Sequence, residues 1–275
     1  MRWRDEAEKM LLNSRQQDVV LSVKNLKVEF RLPGNVIQAV NGISFEVRRG
    51  RITALVGESG CGKSVTAMSI MGLLECKGSI IDGEILVSGQ DVRGLSAKQR
   101  HSYCGVQVGV VFQDPVNSLD PLFSIGDLVS ETIRAHRNIT RREARAQSVE
   151  LLRRMHLPDP EGIMNKYPFQ LSGGMCQRVM IAIAMAMHPP LLIADEPTTA
   201  LDVTIQAQIL DQICTMSRET QTGVLFITHD LGVVAEIADD IYIMKEGMIV
   251  EAGTVLDVFH CAQHDYTKQL LNAIL

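Results

Sequence analysis

A glycine-rich segment, GESGCGKS, runs from Gly57 to Ser64 and has the residue types and spacing that bind phosphate. It fits G-x-x-x-x-G-K-[S/T] and lies between a predicted strand, RITALVG, and a predicted helix, KSVTAMSIMGLL. Lys63 can reach β- and γ-phosphates, and the Ser64 hydroxyl can ligate Mg²⁺. A merely glycine-rich turn is the alternative. The predicted nucleotide-binding residues here are Gly57, Glu58, Ser59, Gly60, Cys61, Gly62, Lys63, Ser64 and Val65.

Polar side chains also lie at or directly after the ends of three other predicted strands. LLIADEP ends in Asp195, which can hold Mg²⁺, and Glu196, which can polarise a water molecule in line with a γ-phosphate. His229 follows the strand VLFIT, and Gln113 closes GVVFQ. Parallel strands would bring these ends to one crevice. A structural histidine and a plain exposed amide are the alternatives for His229 and Gln113.

The segment LSGGMCQRVMIAIAMA places Ser172, Gly173 and Gly174 directly before an apolar run. One interpretation is a helix cap, with Ser172 as the N-cap residue and the glycines easing the turn. The other is a bare helix start on which an anion can sit. Both interpretations can hold at once.

The remaining pattern predicts the elements that position these residues. Alternating apolar residues in VVLSVKNLKVEF and VIQAVNGISFEV predict strands around a turn at PGN, and GEILVSG and GVQVGVVFQ predict two more. After the loop DPVNSLDPLFS the chain reads mostly as helix, with a capping box at Thr140 and Glu143 and an N-cap at Asp159. The αβ pattern resumes at LLIAD, continues with a helix from about Val203 to Arg218 and the strand VLFIT, and ends in a hairpin.

We therefore predict an α/β protein in which a helical segment interrupts the core. The predicted divisions are a polar tail over residues 1–18 and one domain over 19–275. Within that domain the catalytic core occupies about 19–113 and 189–275, and the helical subdomain occupies about 114–188.

Composition narrows the function classes. The net charge of −5 and the lack of a long basic stripe argue against nucleic acid as the main partner. The six cysteines are scattered without a C-x-x-C pair, which is typical of free thiols in a reducing compartment. The longest apolar run, Val179 to Met187, is too short to span a bilayer. These features predict a protein that is cytosolic or held at a membrane through a partner.

Taken in order, GESGCGKS, Gln113, LSGGM, LLIADEP, TALD and the histidine of ITHD resemble the nucleotide-binding subunits of ABC transporters, from about Val19 onward. The resemblance implies a P-loop NTPase (RecA-like) core with an N-terminal antiparallel β subdomain and an inserted helical subdomain. It also implies ATP and Mg²⁺ as cofactors, and two ATPase subunits packed head to tail.

The resemblance further implies a role for individual residues. Glu196 would be the general base, His229 a γ-phosphate contact, and Gln113 a link between Mg²⁺ and the membrane subunit. The other implied roles are adenine stacking by Phe30, contact with the partner's γ-phosphate by Ser172 and Gly174, and contact across the dimer interface by Asp202.

Longer segments, among them FQDPVNSLDP and ADEPTTALDVTIQAQIL, resemble the dipeptide, oligopeptide and nickel import branch. This implies two membrane permeases, an external binding protein, and a peripheral position on the cytoplasmic face of the inner membrane. Cys176 stands where the branch more often has arginine. The chain stops at Leu275 without the cysteine-bearing extension of many peptide-importing members, and this alone favours a nickel or metal-chelate member. A non-transport ABC ATPase, acting in DNA repair or on ribosomes, is the alternative.

Overall fold

The computed structural model describes residues 18–74, 77–199 and 201–273. Its central sheet has the strand order β10-β9-β3-β8-β7-β6, and β9, β3, β8, β7 and β6 run parallel while β10 pairs antiparallel with β9. The strands are β3 (Ile52–Val56), β6 (Val108–Val111), β7 (Leu191–Asp195), β8 (Gly223–Thr228), β9 (Asp240–Lys245) and β10 (Met248–Thr254).

A second, antiparallel sheet has the order β2-β1-β4-β5. Its strands are β1 (Val19–Leu32), β2 (Asn35–Arg48), β4 (Gly78–Val87) and β5 (Gln90–Asp91). A turn that contains Gly34, with φ at 78°, joins β1 to β2 where the PGN turn is predicted.

Helices connect the strands of the central sheet. Helix α1 (Lys63–Met71) follows β3, and α2 (Ala97–Val106) precedes β6. Between β6 and β7 the structure places five α-helices and one 3-10 helix (Pro168–Gln170) among the described residues. The α-helices are α3 (Pro115–Ser118), α4 (Ile125–His136), α5 (Arg141–Arg154), α6 (Pro160–Ile163) and α7 (Gly173–Met185). The later helices are α8 (Val203–Thr220), α9 (Leu231–Ile237), α10 (Val255–Cys261) and α11 (Asp265–Asn272).

The central sheet separates two layers because successive side chains of its strands point to opposite faces. Leu225 and Ile193 belong to the core beneath the antiparallel sheet, whereas Phe226 and Leu192 belong to the core that contains the buried residues of α4, α5 and α7. Strands buried on both faces read as continuous apolar runs, as LLIAD and VLFIT do. The predicted α/β core with an antiparallel sheet and a helical insertion is confirmed.

The predicted helix starts are confirmed. Thr140 and Glu143 form a capping box at α5, and Asp159 caps α6 through the N–H of Gly162. Ser172 caps α7 by accepting a hydrogen bond from the N–H of Met175 at 3.3 Å. Within the described residues, no helix combines the length and apolarity needed to cross a bilayer.

One predicted strand needs correction, and several helices were missed. The strand GVQVGVVFQ is wrong in its first part, because Gly105 takes φ at 92° and residues 105 and 106 close α2. Helix α2 itself was not predicted, since its residues show no apolar periodicity. The chain also continues beyond the closing hairpin into α10 and α11. The tail was predicted over residues 1–18. Only Asp18 belongs to the described residues, and residues 1–17 lie outside them.

Candidate nucleotide-binding site

The phosphate-binding loop joins the buried strand β3 to the start of α1. Gly62 occupies the N-cap of α1 with φ at 110°, and a Cβ there would lie 2.5 Å from the Ala39 carbonyl oxygen. Only glycine fits this position, because an L side chain would meet backbone at a strained φ. No side chain caps α1. Its first N–H groups are therefore directed at the loop, which is the arrangement that binds phosphate.

Lys63 is almost completely buried beneath this loop. Its ammonium group donates hydrogen bonds to the carbonyl oxygens of Gly57 at 2.7 Å and Glu58 at 2.9 Å. The Cys61 Sγ atom lies 3.8 Å from the same nitrogen. Burial raises the pKa of the Cys61 thiol, and the Lys63 charge offsets only part of that rise. The cysteine therefore packs as a small neutral side chain, while Lys63 supplies the positive charge.

A cavity of about 600 Å³ lies over the loop, and three residues from other strand ends line it. These are Gln113 after β6, Glu196 after β7 and His229 after β8. The predicted meeting of strand ends is thus present in the folded chain. Ala39 on β2 and Leu270 on α11 also line the cavity, and no motif or spacing indicated either residue.

The Glu196 carboxylate is the centre of a polar network at the edge of this cavity. Gln113 Nε2 donates to Glu196 Oε2 at 3.0 Å, and Thr199 Oγ1 donates to the same oxygen at 3.0 Å. His229 Nδ1 lies 3.1 Å from Glu196 Oε1. The Glu196 backbone has φ at 48°, a left-handed conformation that non-glycine residues seldom adopt and that recurs at functional sites. The network fixes the direction in which the carboxylate points.

Thr199 is the member of this network that sequence reasoning missed. It lies three residues after Glu196, and its backbone N–H also bonds to the Glu196 carbonyl oxygen at 3.3 Å. The segment EPTT, directly after the two acids, carried the only available signal.

Asp195 lies at the end of β7 and is partly buried. Its Oδ1 atom is buried without a hydrogen-bond partner among the described residues. Burial raises the pKa of this carboxyl group, the Glu196 charge adds to the rise, and Ser64 and Lys63 partly oppose it. An unpartnered carboxylate oxygen beside a serine hydroxyl is a donor set that suits a hard divalent cation such as Mg²⁺. The residues present therefore fit the predicted metal.

The segment around Ser172 lies elsewhere on the chain and does not line the cavity. A Cβ on Gly174 would come within 2.7 Å of Ile205 Cγ2, so this glycine packs against the start of α8. A Cβ on Gly173 would meet nothing within 4 Å. Asp202 caps α8 by accepting a hydrogen bond from the Ile205 N–H at 3.0 Å. Two helix starts thus lie side by side, away from the phosphate-binding loop.

Phe30 also lies outside the cavity lining. It is half-buried on β1, opposite Ile37 and Gly78, and it packs against the core beneath the antiparallel sheet. Its stacking on adenine stays a prediction.

Cys176 receives a physical explanation from the structure. It is fully buried in α7, and its Sγ atom lies 3.4 Å from the Pro168 carbonyl oxygen. A thiol is small and makes a weak donor, so it satisfies this site without the desolvation that a buried guanidinium group would suffer.

A phosphate-binding loop between strand and helix, facing acids at the end of a neighbouring parallel strand, defines a P-loop nucleotide-binding protein. A family model described as ABC transporter matches residues 40–199. The chain belongs to the ABC transporter family.

Individual relatives agree with this assignment. The chain is 48% identical to the glutathione import ATP-binding protein GsiA of Shigella dysenteriae serotype 1, over 93% of this chain and 42% of that protein. It is 46% identical to the dipeptide transport ATP-binding protein DppD of Bacillus subtilis, over 93% of this chain and 76% of that protein. The chain thus spans less than half the length of GsiA.

Solved structures show the same fold. The dimeric post-hydrolysis state of the ATP-binding cassette MJ0796, bound to ADP and Pi, superposes with a TM-score of 0.76 at 27% identity. That match covers 86% of this chain and 98% of the other. The family and P-loop fold predicted from the sequence are confirmed. The non-transport alternative is not favoured, because both curated relatives are named for import or transport.

Proposed function

We propose that this chain is the ATP-binding and ATP-hydrolysing subunit of a bacterial ABC importer. The observation that carries the proposal is the Glu196 carboxylate, held by Gln113, Thr199 and His229 at the edge of the cavity over the phosphate-binding loop. A carboxylate fixed in this way beside bound phosphates can act on one water molecule.

In the proposed reaction the water oxygen attacks the γ-phosphorus while the bond to the bridging β–γ oxygen breaks. Glu196 takes the proton released by the water, and ADP leaves with the bridging oxygen. Lys63 and the α1 N-terminus would hold the negative phosphate oxygens. The His229 side chain is well exposed on the cavity side, so it can contact the γ-phosphate while its Nδ1 orients Glu196.

Mg²⁺ would be held by Ser64, Asp195 and Gln113. It would supply positive charge that neutralises the phosphate oxygens as the bond breaks. The buried, unpartnered oxygen of Asp195 supports this assignment, since a cation would offset its desolvation.

The site is completed, in this proposal, by a second ATPase subunit, either another copy or a sister chain. Ser172, Gly173 and Gly174 would meet the ATP held by the partner's phosphate-binding loop, and Asp202 would cross the same interface. Ser172, Gly173 and Asp202 are exposed and Gly174 is half-buried, and all four lie outside this chain's own cavity lining, which supports that role. The dimeric state of the MJ0796 cassette is consistent with it.

The remaining partners would be two permease subunits and an extracytoplasmic binding protein, with the chain held peripherally on the cytoplasmic face of the inner membrane. GsiA and DppD are named for the import of glutathione and the transport of dipeptides, so we propose small peptides as the imported class. Nickel or a metal chelate is the second cargo class. No nucleic-acid partner is proposed.

Purification of the tagged chain from detergent-solubilised membranes tests this proposal. We expect two permeases and a second ATPase subunit to co-purify, together with ATP hydrolysis that a Glu196→Gln variant lacks. Recovery of ribosomes or DNA-repair factors in place of permeases would contradict the importer assignment and leave the ATPase chemistry standing.

A further inference from the structure

Backbone contacts join the C-terminal part of the chain to the phosphate-binding loop. A Cβ on Gly57 would lie 2.2 Å from the Met244 carbonyl oxygen, so the start of the loop packs directly on the backbone of β9. The Gly247 N–H, in the turn between β9 and β10, donates a hydrogen bond to the Cys61 carbonyl oxygen at 3.0 Å. The position of the loop therefore depends on the segment that follows β8 as well as on β3 and α1.

A side chain of α11 adds a third contact, at Glu58. The Tyr266 hydroxyl accepts a hydrogen bond from the Glu58 N–H at 3.2 Å. The Glu58 carbonyl oxygen accepts a hydrogen bond from the Lys63 ammonium group at 2.9 Å. A phosphate that draws Lys63 toward itself would weaken the Lys63 contact but leave the Tyr266 contact in place. The Tyr266 hydroxyl can therefore hold Glu58 both before and after a nucleotide binds.

The start of α11 is itself anchored to the rest of the fold. The Glu251 carboxylate on β10 accepts hydrogen bonds from the N–H groups of Gln263 at 2.7 Å and His264 at 3.1 Å. His264 Nδ1 then caps α11 by accepting a hydrogen bond from the Tyr266 N–H at 3.2 Å. The Tyr266 ring is buried, and the Lys245 ammonium group lies 4.8 Å from its centroid. These contacts fix the place from which the hydroxyl reaches the loop.

The same face of α11 reaches the nucleotide cavity. Leu270 lies four residues after Tyr266, which makes the two side chains neighbours on one face of the helix. Leu270 lines the cavity over the phosphate-binding loop, whereas Tyr266 is not among the described residues that line it. Tyr266 therefore contacts the loop outside the cavity, and it is placed to act on the loop rather than on a bound nucleotide.

We infer that Tyr266 is a positioning residue for nucleotide binding, because its hydroxyl holds the Glu58 backbone and with it the phosphate-binding loop. This role rests on the proposed function, since it requires that the loop binds ATP. Without the hydroxyl, the Glu58 N–H loses its fixed partner and the loop can populate conformations that do not receive phosphate. The apparent Kd of ATP then rises by the inverse of the fraction that remains competent. The network around Glu196 is untouched, so the effect falls on affinity and not on the chemical step.

Tyr266→Phe in the full chain is the test variant, because it removes one oxygen atom and keeps the ring that packs in the core. Tyr242→Phe is the matched control. The Tyr242 hydroxyl, on β9, also accepts a backbone hydrogen bond, from the Glu46 N–H at 3.4 Å, and Tyr242 does not line the cavity. Titrations with fluorescent analogues of ATP and GTP measure affinity, and urea unfolding measures the stability of each variant.

We expect Tyr266→Phe to weaken the binding of both analogues by roughly three- to tenfold, and by equal factors, because the loop binds phosphates and not the base. Tyr242→Phe should leave both affinities unchanged, although it loses a hydrogen bond of the same kind. Amide hydrogen exchange over residues 57–65, measured without nucleotide, should become faster in Tyr266→Phe and stay unchanged in the control. In ATP hydrolysis by the purified complex, KM should rise while kcat is unchanged.

Four results would overturn this role: unchanged affinity in Tyr266→Phe, an equal loss of affinity in Tyr242→Phe, a loss confined to one of the two bases, or a lower kcat with unchanged KM. A lower free energy of unfolding in Tyr266→Phe, with no change in affinity or hydrogen exchange, would show that the hydroxyl only stabilises the fold.

Binding by the unmodified chain reports on the proposed function separately. An unmodified chain that binds neither analogue would refute the proposed function and this role with it. An unmodified chain that binds ATP, beside a Tyr266→Phe chain that binds it equally well, would refute only the role of Tyr266.

Discussion

Two helix starts in this chain have similar sequences before them and different structures. Helix α1 begins after the glycines of the phosphate-binding loop without a side-chain cap, and it faces a cavity that its own chain lines with Gln113, Glu196 and His229. Helix α7 begins after Ser172 with a side-chain cap, and its first residues, Ser172 and Gly173, are exposed while the rest of the helix is mostly buried.

The comparison indicates that the two regions contribute to an ATP site in different ways. The phosphate-binding loop and the residues around it are assembled within the chain, whereas the segment around Ser172 lies at the surface, where a partner subunit can contact it. The first region has buried Lys63 and a hydrogen-bonded Glu196. The second region has an exposed Ser172 and a Gly173 whose missing Cβ would touch nothing. The packing within a single chain does not require glycine at position 173. A glycine that is needed only for contact with a partner subunit would have this property.

The largest effect is expected for Glu196→Gln. The amide cannot accept the proton from water, so ATP hydrolysis should fall by roughly 10² to 10⁴. ATP binding should persist, because Lys63 and the loop are unchanged, and an ATP-bound dimer should accumulate. Steady-state hydrolysis and gel filtration with ATP measure both. A variant with normal turnover would show that Glu196 is not the base.

A smaller loss is expected for Lys63→Ala. Removing the ammonium group takes away charge-assisted hydrogen bonds to phosphate, so ATP affinity should fall by roughly ten- to a hundredfold. Equilibrium binding of a fluorescent ATP analogue measures this, with circular dichroism as the folding control. Unchanged affinity would remove Lys63 from the phosphate site.

Substitutions at the two adjacent glycines of α7 distinguish the effect of partner contact on ATP hydrolysis from the effect of local packing on stability. Gly173→Ala should leave the free energy of unfolding unchanged or raise it by about 0.5 kcal/mol, because alanine favours helix and meets open space. It should nevertheless lower hydrolysis about tenfold if this surface meets the partner's ATP.

Gly174→Ala is the matched comparison. Its Cβ would press on Ile205, so the free energy of unfolding should fall by about 1 kcal/mol. Urea unfolding without nucleotide gives both stabilities. Equal effects of the two substitutions on stability would contradict the packing described for α7.

A modest gain in stability is expected when the Asp195 charge is removed from the nucleotide-free chain. Asp195→Asn removes a half-buried charge with an unpartnered oxygen and should raise the free energy of unfolding by about 1 kcal/mol. The same substitution removes a proposed Mg²⁺ ligand, so ATP hydrolysis should be lost. Glu196→Gln is the control, because three side chains already hydrogen-bond to its carboxylate, so it should bring no such gain. Urea unfolding in the presence of EDTA measures the free energy of unfolding of the Asp195→Asn and Glu196→Gln variants and of the unmodified chain.

Sequence reasoning found the parts of the site that depend on local pattern. The phosphate-binding loop, the acids after β7 and the caps at Ser172, Thr140 and Asp159 follow from residues a few positions apart. The convergence of strand ends followed from the parallel arrangement of strands, which continuous apolar runs indicate.

Features set by tertiary contact were beyond that reasoning. Helix α2 has no apolar periodicity, and the left-handed φ of Gly105 lets the chain leave it for β6. Thr199 joins the network only because the turn after Glu196 folds back on its carboxylate. Phe30 lies on the predicted strand, yet the pattern alone could not show that it packs outside the cavity lining.

The measurement that tests the central claim most directly is complementation between Lys63→Ala and Gly173→Val chains. In a dimer of two copies of this chain, each variant alone should be nearly inactive, because both composite sites then lack one half. Mixing them should restore ATP hydrolysis, since one site then combines an intact phosphate-binding loop with an intact Ser172–Gly174 segment from the other chain. If the Gly173→Val chain alone hydrolyses ATP like the unmodified chain, the claim that this segment completes a partner's site is wrong.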